Sequence, residues 1–197
     1  MNYANFFIKN PDDNDEKNYA YLNFRLDGYS QEQQFLEMSR GYLETAKYLL
    51  NSLNHDNSSR RADIEIFPTL FLLNHGIELK LKSLYLSSDL QNEKTHNLKS
   101  LMDNLISQNS NVKKHLKSTI RYINTLNNNE IFKTSKNLDF TRYSFDANDD
   151  PFPHAKEIID DNLKISIPIL LDLVNNILEE FSFIYHSLDD NPDLFRQ

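Results

Sequence analysis

Glycine is nearly missing from this chain: Gly28, Gly41 and Gly76 are the only three in 197 residues. Dinucleotide-binding sheets, P-loops and β-sandwiches all draw on glycine's freedom at positive φ for tight turns and close backbone approaches. So little of it points to helices joined by few turns. The 39% hydrophobic and 25% charged composition supplies enough apolar material to offset chain entropy, and the length suits one domain. With no cysteine, a disulfide framework, a thiol nucleophile and Cys-ligated zinc are all excluded.

The net charge of -8, from 29 acidic and 21 basic residues, repels nucleic acid and anionic membrane at long range. Any RNA contact must therefore be local. No stretch reaches the roughly 18 uninterrupted apolar residues of a membrane span, and Met1-Asn2-Tyr3-Ala4-Asn5 lacks a basic region leading into an apolar core. A cytoplasmic protein with no membrane partner is expected.

Residues 1–29 mix short apolar pieces with the polar run Pro11 to Glu16 and read as an irregular N-terminal arm. From Ser30 the pattern changes. Ser30 and Gln33 have capping-box spacing, and apolar residues recur from Phe35 to Leu53, predicting a long amphipathic helix. Asn54 to Ala62 should be a loop. Ile66 to Leu86 is the most apolar segment and predicts a central core helix, with Pro68 tolerable only in its first turn. Thr95 is placed to cap a further helix carrying Leu98, Leu101, Met102 and Leu105, and another is expected from Val112 to about Leu126. Leu138 to Phe145 alternates as a short extended stretch would, and Asp146 to Pro153 is an acidic turn. A last long helix should run from about Glu157 to Leu188, kinked or divided at Pro168. The expectation is an all-α fold: one bundle of five to six helices over residues 30–197.

Within the central helix, His75, Glu78 and Lys82 fall at offsets of 0, 3 and 7 and share one face. Glu78 and Lys82 are ordered for an i, i+4 ion pair. Buried charge is costly unless paired, so this strip must line a cleft or form a satisfied network between helices. In the first case His75 would serve as acid or base and Lys82 as anion binder. A second feature is basic: Lys94 to Arg121 holds six basic residues against Asp103 alone. On one continuous helix Lys113, Lys117 and Arg121 would stack, with Lys114 beside them and Val112, Leu116, Ile120 and Ile123 opposite. That face would grip phosphates or simply be solvated.

A third pattern is a near miss. Asp146, Asn148, Asp150 and Glu157 match calcium-loop positions 1, 3, 5 and 12, but Pro151 stands where the sharp turn wants glycine. Glycine-based nucleotide motifs, the nucleophile elbow and the His-Glu-x-x-His pair are missing, and the six histidines lack metal-ligand spacing. No metal and no cofactor are assigned.

His75-Gly-Ile-Glu78-Leu79-Lys-Leu81-Lys82, then Thr95-His96-Asn-Leu98, then Phe140-Thr-Arg142-Tyr143-Ser-Phe-Asp146 resembles the helical HEPN superfamily. The resemblance is nearer to a bacterial HEPN-like group with a His-x-x-Glu-Leu-x-Leu-Lys helix, a His-x-Leu helix start and an Arg-Tyr-Pro-x-Asp-like segment, and it spans about Phe67 to Leu188. It implies an all-α bundle, frequently a homodimer, in bacterial toxin–antitoxin, antiviral defence or RNA-processing systems. Many active members are metal-independent ribonucleases with Arg, four to six residues, then His. No arginine of this chain has a histidine at that distance, and Ser144 stands where the nearer group often has proline. His75, Glu78, Lys82, His96, Arg142 and Tyr143 therefore transfer as candidate catalytic positions by motif alone. Lys113, Lys114, Lys117 and Arg121 are the nucleic-acid-binding candidates.

Two functions are expected to compete. One is a divergent metal-independent ribonuclease of a defence or toxin–antitoxin system. The other is a non-catalytic helical homodimer that binds a partner protein or a small anionic ligand.

Overall fold

The computed structural model describes residues 20, 28–88, 94–129, 141–142 and 164–190. Among them the fold is all-α, with five α-helices, two short 3-10 helices and no strand. Helix α1 spans Gln31–His55, α2 Ala62–Ser87, α3 Leu98–Gln108, α4 Lys117–Asn128 and α5 Ile167–Asp190. Nearly all of the arm at 1–29, Leu138–Phe140 and the acidic turn and calcium-like pattern from Asp146 to Glu157 lie outside the described residues. Of the expected extended stretch only Thr141 and Arg142 are described, Thr141 as 3-10 and Arg142 as turn.

Helix α1 begins as its sequence predicts. The Ser30 hydroxyl accepts from the Gln33 amide at 3.2 Å, and the Gln33 side chain accepts from the Ser30 amide at 3.0 Å. Helices α1 and α2 then pair antiparallel across the 3-10 turn Ser58–Arg60, because contacts run from Ser52 with Arg61, through Ser39 with Gly76, to Glu32 with Ser87. The tightest point is Gly76. A Cβ there would lie 2.7 Å from Leu43 Cγ, so only glycine permits this approach, and Ser39 Oγ uses it to donate to the Gly76 carbonyl at 2.8 Å.

Helix α2 is the hub. Every position from Gly76 to Tyr85 is buried. Its Leu73, Ile77, Leu81 and Leu84 meet Leu43, Ala46 and Leu50 of α1, Leu101 and Leu105 of α3, Ile123 of α4 and Val174, Ile177 and Ile184 of α5 in one core. Tyr85 donates its hydroxyl to the Leu101 carbonyl at 2.9 Å and ties α3 to α2.

Three local expectations are corrected. The central helix starts at Ala62, not Ile66, so Pro68 lies inside it rather than in its first turn. The proline leaves the Ile64 carbonyl without its helical donor, and this is tolerated because Ile64, at 76% exposure, is open to water. Asn97, not Thr95, caps α3, its side chain accepting from the Ser100 amide at 2.9 Å; Thr95 instead accepts from the Asn97 amide. The expected helix from Val112 to Leu126 is broken: Ser110–His115 is 3-10 and α4 starts only at Lys117. The division expected at Pro168 falls just before it: 164–166 are not helical, and α5 opens at Ile167 with Pro168 in its first turn, where a missing N–H costs nothing; 157–163 lie outside the described residues.

Candidate functional site

Burial around α2 forces its three charged residues at 78, 80 and 82 to find an environment inside the protein. Glu78 finds several partners. Its Oε1 accepts from Lys82 Nζ at 2.8 Å and lies 2.9 Å from His96 Nδ1, while its Oε2 is 3.8 Å from His75 Nδ1. The first two are hydrogen bonds; the third is electrostatic at that distance. Glu78 and Lys82 are both buried, and their i, i+4 spacing stacks them on one turn. His96 comes from the residues just before α3, held there by the Thr95 and Asn97 turn bonds and by Leu98 in the core. Burial opposes ionisation of Glu78, but His75, Lys82 and His96 outweigh it and hold the carboxyl down at about 2. The group is a carboxylate, able only to accept.

That fixes the histidine chemistry. Facing a carboxylate, His96 must present Nδ1–H, which in the neutral ring leaves the Nε2 lone pair free to take a proton. The His96 side chain is 68% exposed, whereas Glu78 behind it is 9% exposed. A buried carboxylate orienting an exposed imidazole is the arrangement of a positioned general base.

His75 is held differently. Its ring stacks on Phe71 at 5.9 Å, 5° from parallel, and meets Tyr42 of α1 edge-on at 4.6 Å. Arg142 places its guanidinium 5.7 Å from the Phe71 ring centre, on the cluster's flank. Four sequence-derived candidates therefore gather at Glu78 (itself, His75, Lys82 and His96), and Arg142 is linked to them through Phe71. Tyr143 lies outside the described residues. Asn74, one turn before Glu78, was not singled out from the sequence; its Oδ1 is buried and has no hydrogen-bond partner.

The basic candidates do not form the expected single stripe. Lys113 and Lys114 sit on the 3-10 segment, while Lys117 and Arg121 share one face of α4. All four are exposed. The hydrogen bonds and ion pairs of the Glu78 cluster include none of them. The α4 start is secured by a residue the sequence did not reveal: Glu180 of α5 accepts from the Ser118 amide and, at 3.0 Å each, from the Thr119 amide and hydroxyl. A carboxylate at a helix N-terminus satisfies orphan amides and the helix dipole together.

Among the described residues no group of three or more His, Asp or Glu side chains is arranged to hold a metal ion. Among them, too, no helix is long and apolar enough to cross a membrane. No family model, curated protein or solved structure matches the chain.

Proposed function

We propose that this chain is a HEPN-like protein of a bacterial defence or toxin–antitoxin type system, acting on RNA in the cytoplasm as a divergent metal-independent ribonuclease. The observation behind this reading is the 2.9 Å contact between buried Glu78 and exposed His96. In metal-free RNA cleavage a base removes the 2'-hydroxyl proton and a cation stabilises charge on the phosphorane. His96 is the base, positioned by Glu78. Lys82 is spent on Glu78, so the exposed Arg142 supplies the cation, and Lys117 with Arg121 holds the backbone. As the resemblance implies, two copies pair, and light scattering should give twice 23.2 kDa.

The test is cleavage of mixed cellular RNA by purified protein in EDTA. Cutting that falls by about 100-fold or more in His96→Ala, with the melting temperature kept, is the expected result. Intact RNA in EDTA, and equally with magnesium or manganese, would overturn the proposal.

A second reading has its own observation. Glu78 is already satisfied by Lys82, His96 and His75, as a closed structural network would be. Under it the protein is a non-catalytic module that binds a partner protein or small anion, and His96→Ala lowers stability with no activity to lose.

A further inference from the structure

Lys80 lies two residues beyond Glu78, about 200° round the helix at about 100° per residue. It therefore points away from the Glu78 cluster and lies between α1 and α5. Lys80 is 4% exposed, yet no hydrogen bond or ion pair with any described residue meets its ammonium. Its Nζ instead faces aromatic rings, 5.4 Å from the centre of Phe181 and 5.9 Å from that of Tyr185. Burial lowers the ammonium to about 8, although Glu32 and Glu37 of α1 favour its charge from a distance. A buried cation without a counter-ion is a costly arrangement that packing alone does not require.

The surroundings say what would relieve it. Lys80 lines a cleft of about 450 Å³ between α1, α2 and α5, within the size range of small-molecule sites. Leu36, Leu43, Leu178 and Phe181 give it an apolar lining, and Arg40 adds a second cation. Glu37 and Glu44 also line it, which disfavours a dianion. We infer that this cleft binds a small monocarboxylate with an apolar body, the carboxylate against Lys80 and the body on the leucines and Phe181. The ligand supplies the charge partner that Lys80 lacks among the described residues, and the two rings already shield that contact from water.

The test is thermal shift and calorimetric titration of the full chain at pH 7 with benzoate, phenylacetate and hexanoate. Benzamide is the uncharged control and phenyl phosphate the dianionic one. A saturable rise in melting temperature with the carboxylates is expected, with binding at least tenfold weaker for both controls. Lys80→Met should abolish it, and Ser182→Trp, a substitution at an exposed position on the cleft wall, should weaken it. His96→Ala should leave it unchanged, which separates this site from the proposed ribonuclease. No saturable response to any carboxylate, equal binding of benzamide, tighter binding of phenyl phosphate, or binding undiminished in Lys80→Met or Ser182→Trp would each overturn the inference.

Discussion

Two sides of α2 treat buried charge in opposite ways. At Glu78 the protein brings three cationic or protonatable groups to one carboxylate and drives its pKa down to about 2. At Lys80, half a turn away, it offers an ammonium two ring faces and no counter-ion among the described residues, and the pKa drops to about 8. The first side finds its partners within the chain. The second is unfinished, which is the condition under which a ligand can add stability by arriving. Burial by itself marks neither function nor structure; what separates the two sides is whether the partners are already present.

The largest effect should come from breaking the complete side. Glu78→Ala leaves Lys82 buried and unpaired, with an expected loss of about 3–5 kcal/mol in urea unfolding. A loss under about 1 kcal/mol would show that Lys82 escapes to water and that the network is not closed. Lys80→Met removes a cost rather than a partner, so in the absence of ligand it should be neutral or stabilising by about 1 kcal/mol. If it destabilises as strongly as Glu78→Ala, the contrast between the sides is lost.

Stability against pH sharpens the comparison with a smaller signal. Glu78 has a folded pKa below its ordinary 4.5, so its contribution is present above 4.5 and disappears as pH falls toward about 2. Lys80 has a folded pKa below its ordinary 10.5, so between about 8 and 10.5 the unfolded chain binds more protons and its contribution to stability rises with pH. Glu32 and Glu37 of α1 act on it electrostatically, the Tyr185 ring of α5 meets it, and Arg40, Glu44 and His186 line the same cleft. Urea midpoints measured across both ranges should fall in the acid limb and show a rise in the alkaline limb that Lys80→Met flattens.

Much of this was legible in the residues. Ser30 and Gln33 announce α1, and the offsets of 75, 78 and 82 place the strip on one face before any coordinates do. Lys80 was not seen, because periodicity asks which face a residue takes, and a helix buried on all sides has no solvent face to give it. The clue was available: a segment apolar at nearly every position must bury whatever charge it carries. The break at Leu116 was hidden for another reason. Leu116 packs in the core whether it belongs to a helix or caps one, so Val112, Leu116 and Ile123 satisfy both geometries. Pro68 misled because its cost depends on whether water reaches one carbonyl, which only the fold decides.

Glu180 joins α5 to the amides of Ser118 and Thr119 some sixty positions earlier. The first turn of α4 borrows its acceptors from a helix that leaves the ribosome after it. During synthesis those two amides must therefore wait in water until α5 emerges and docks, and in the finished protein their hydrogen exchange reports the opening of α5 rather than the fraying of α4.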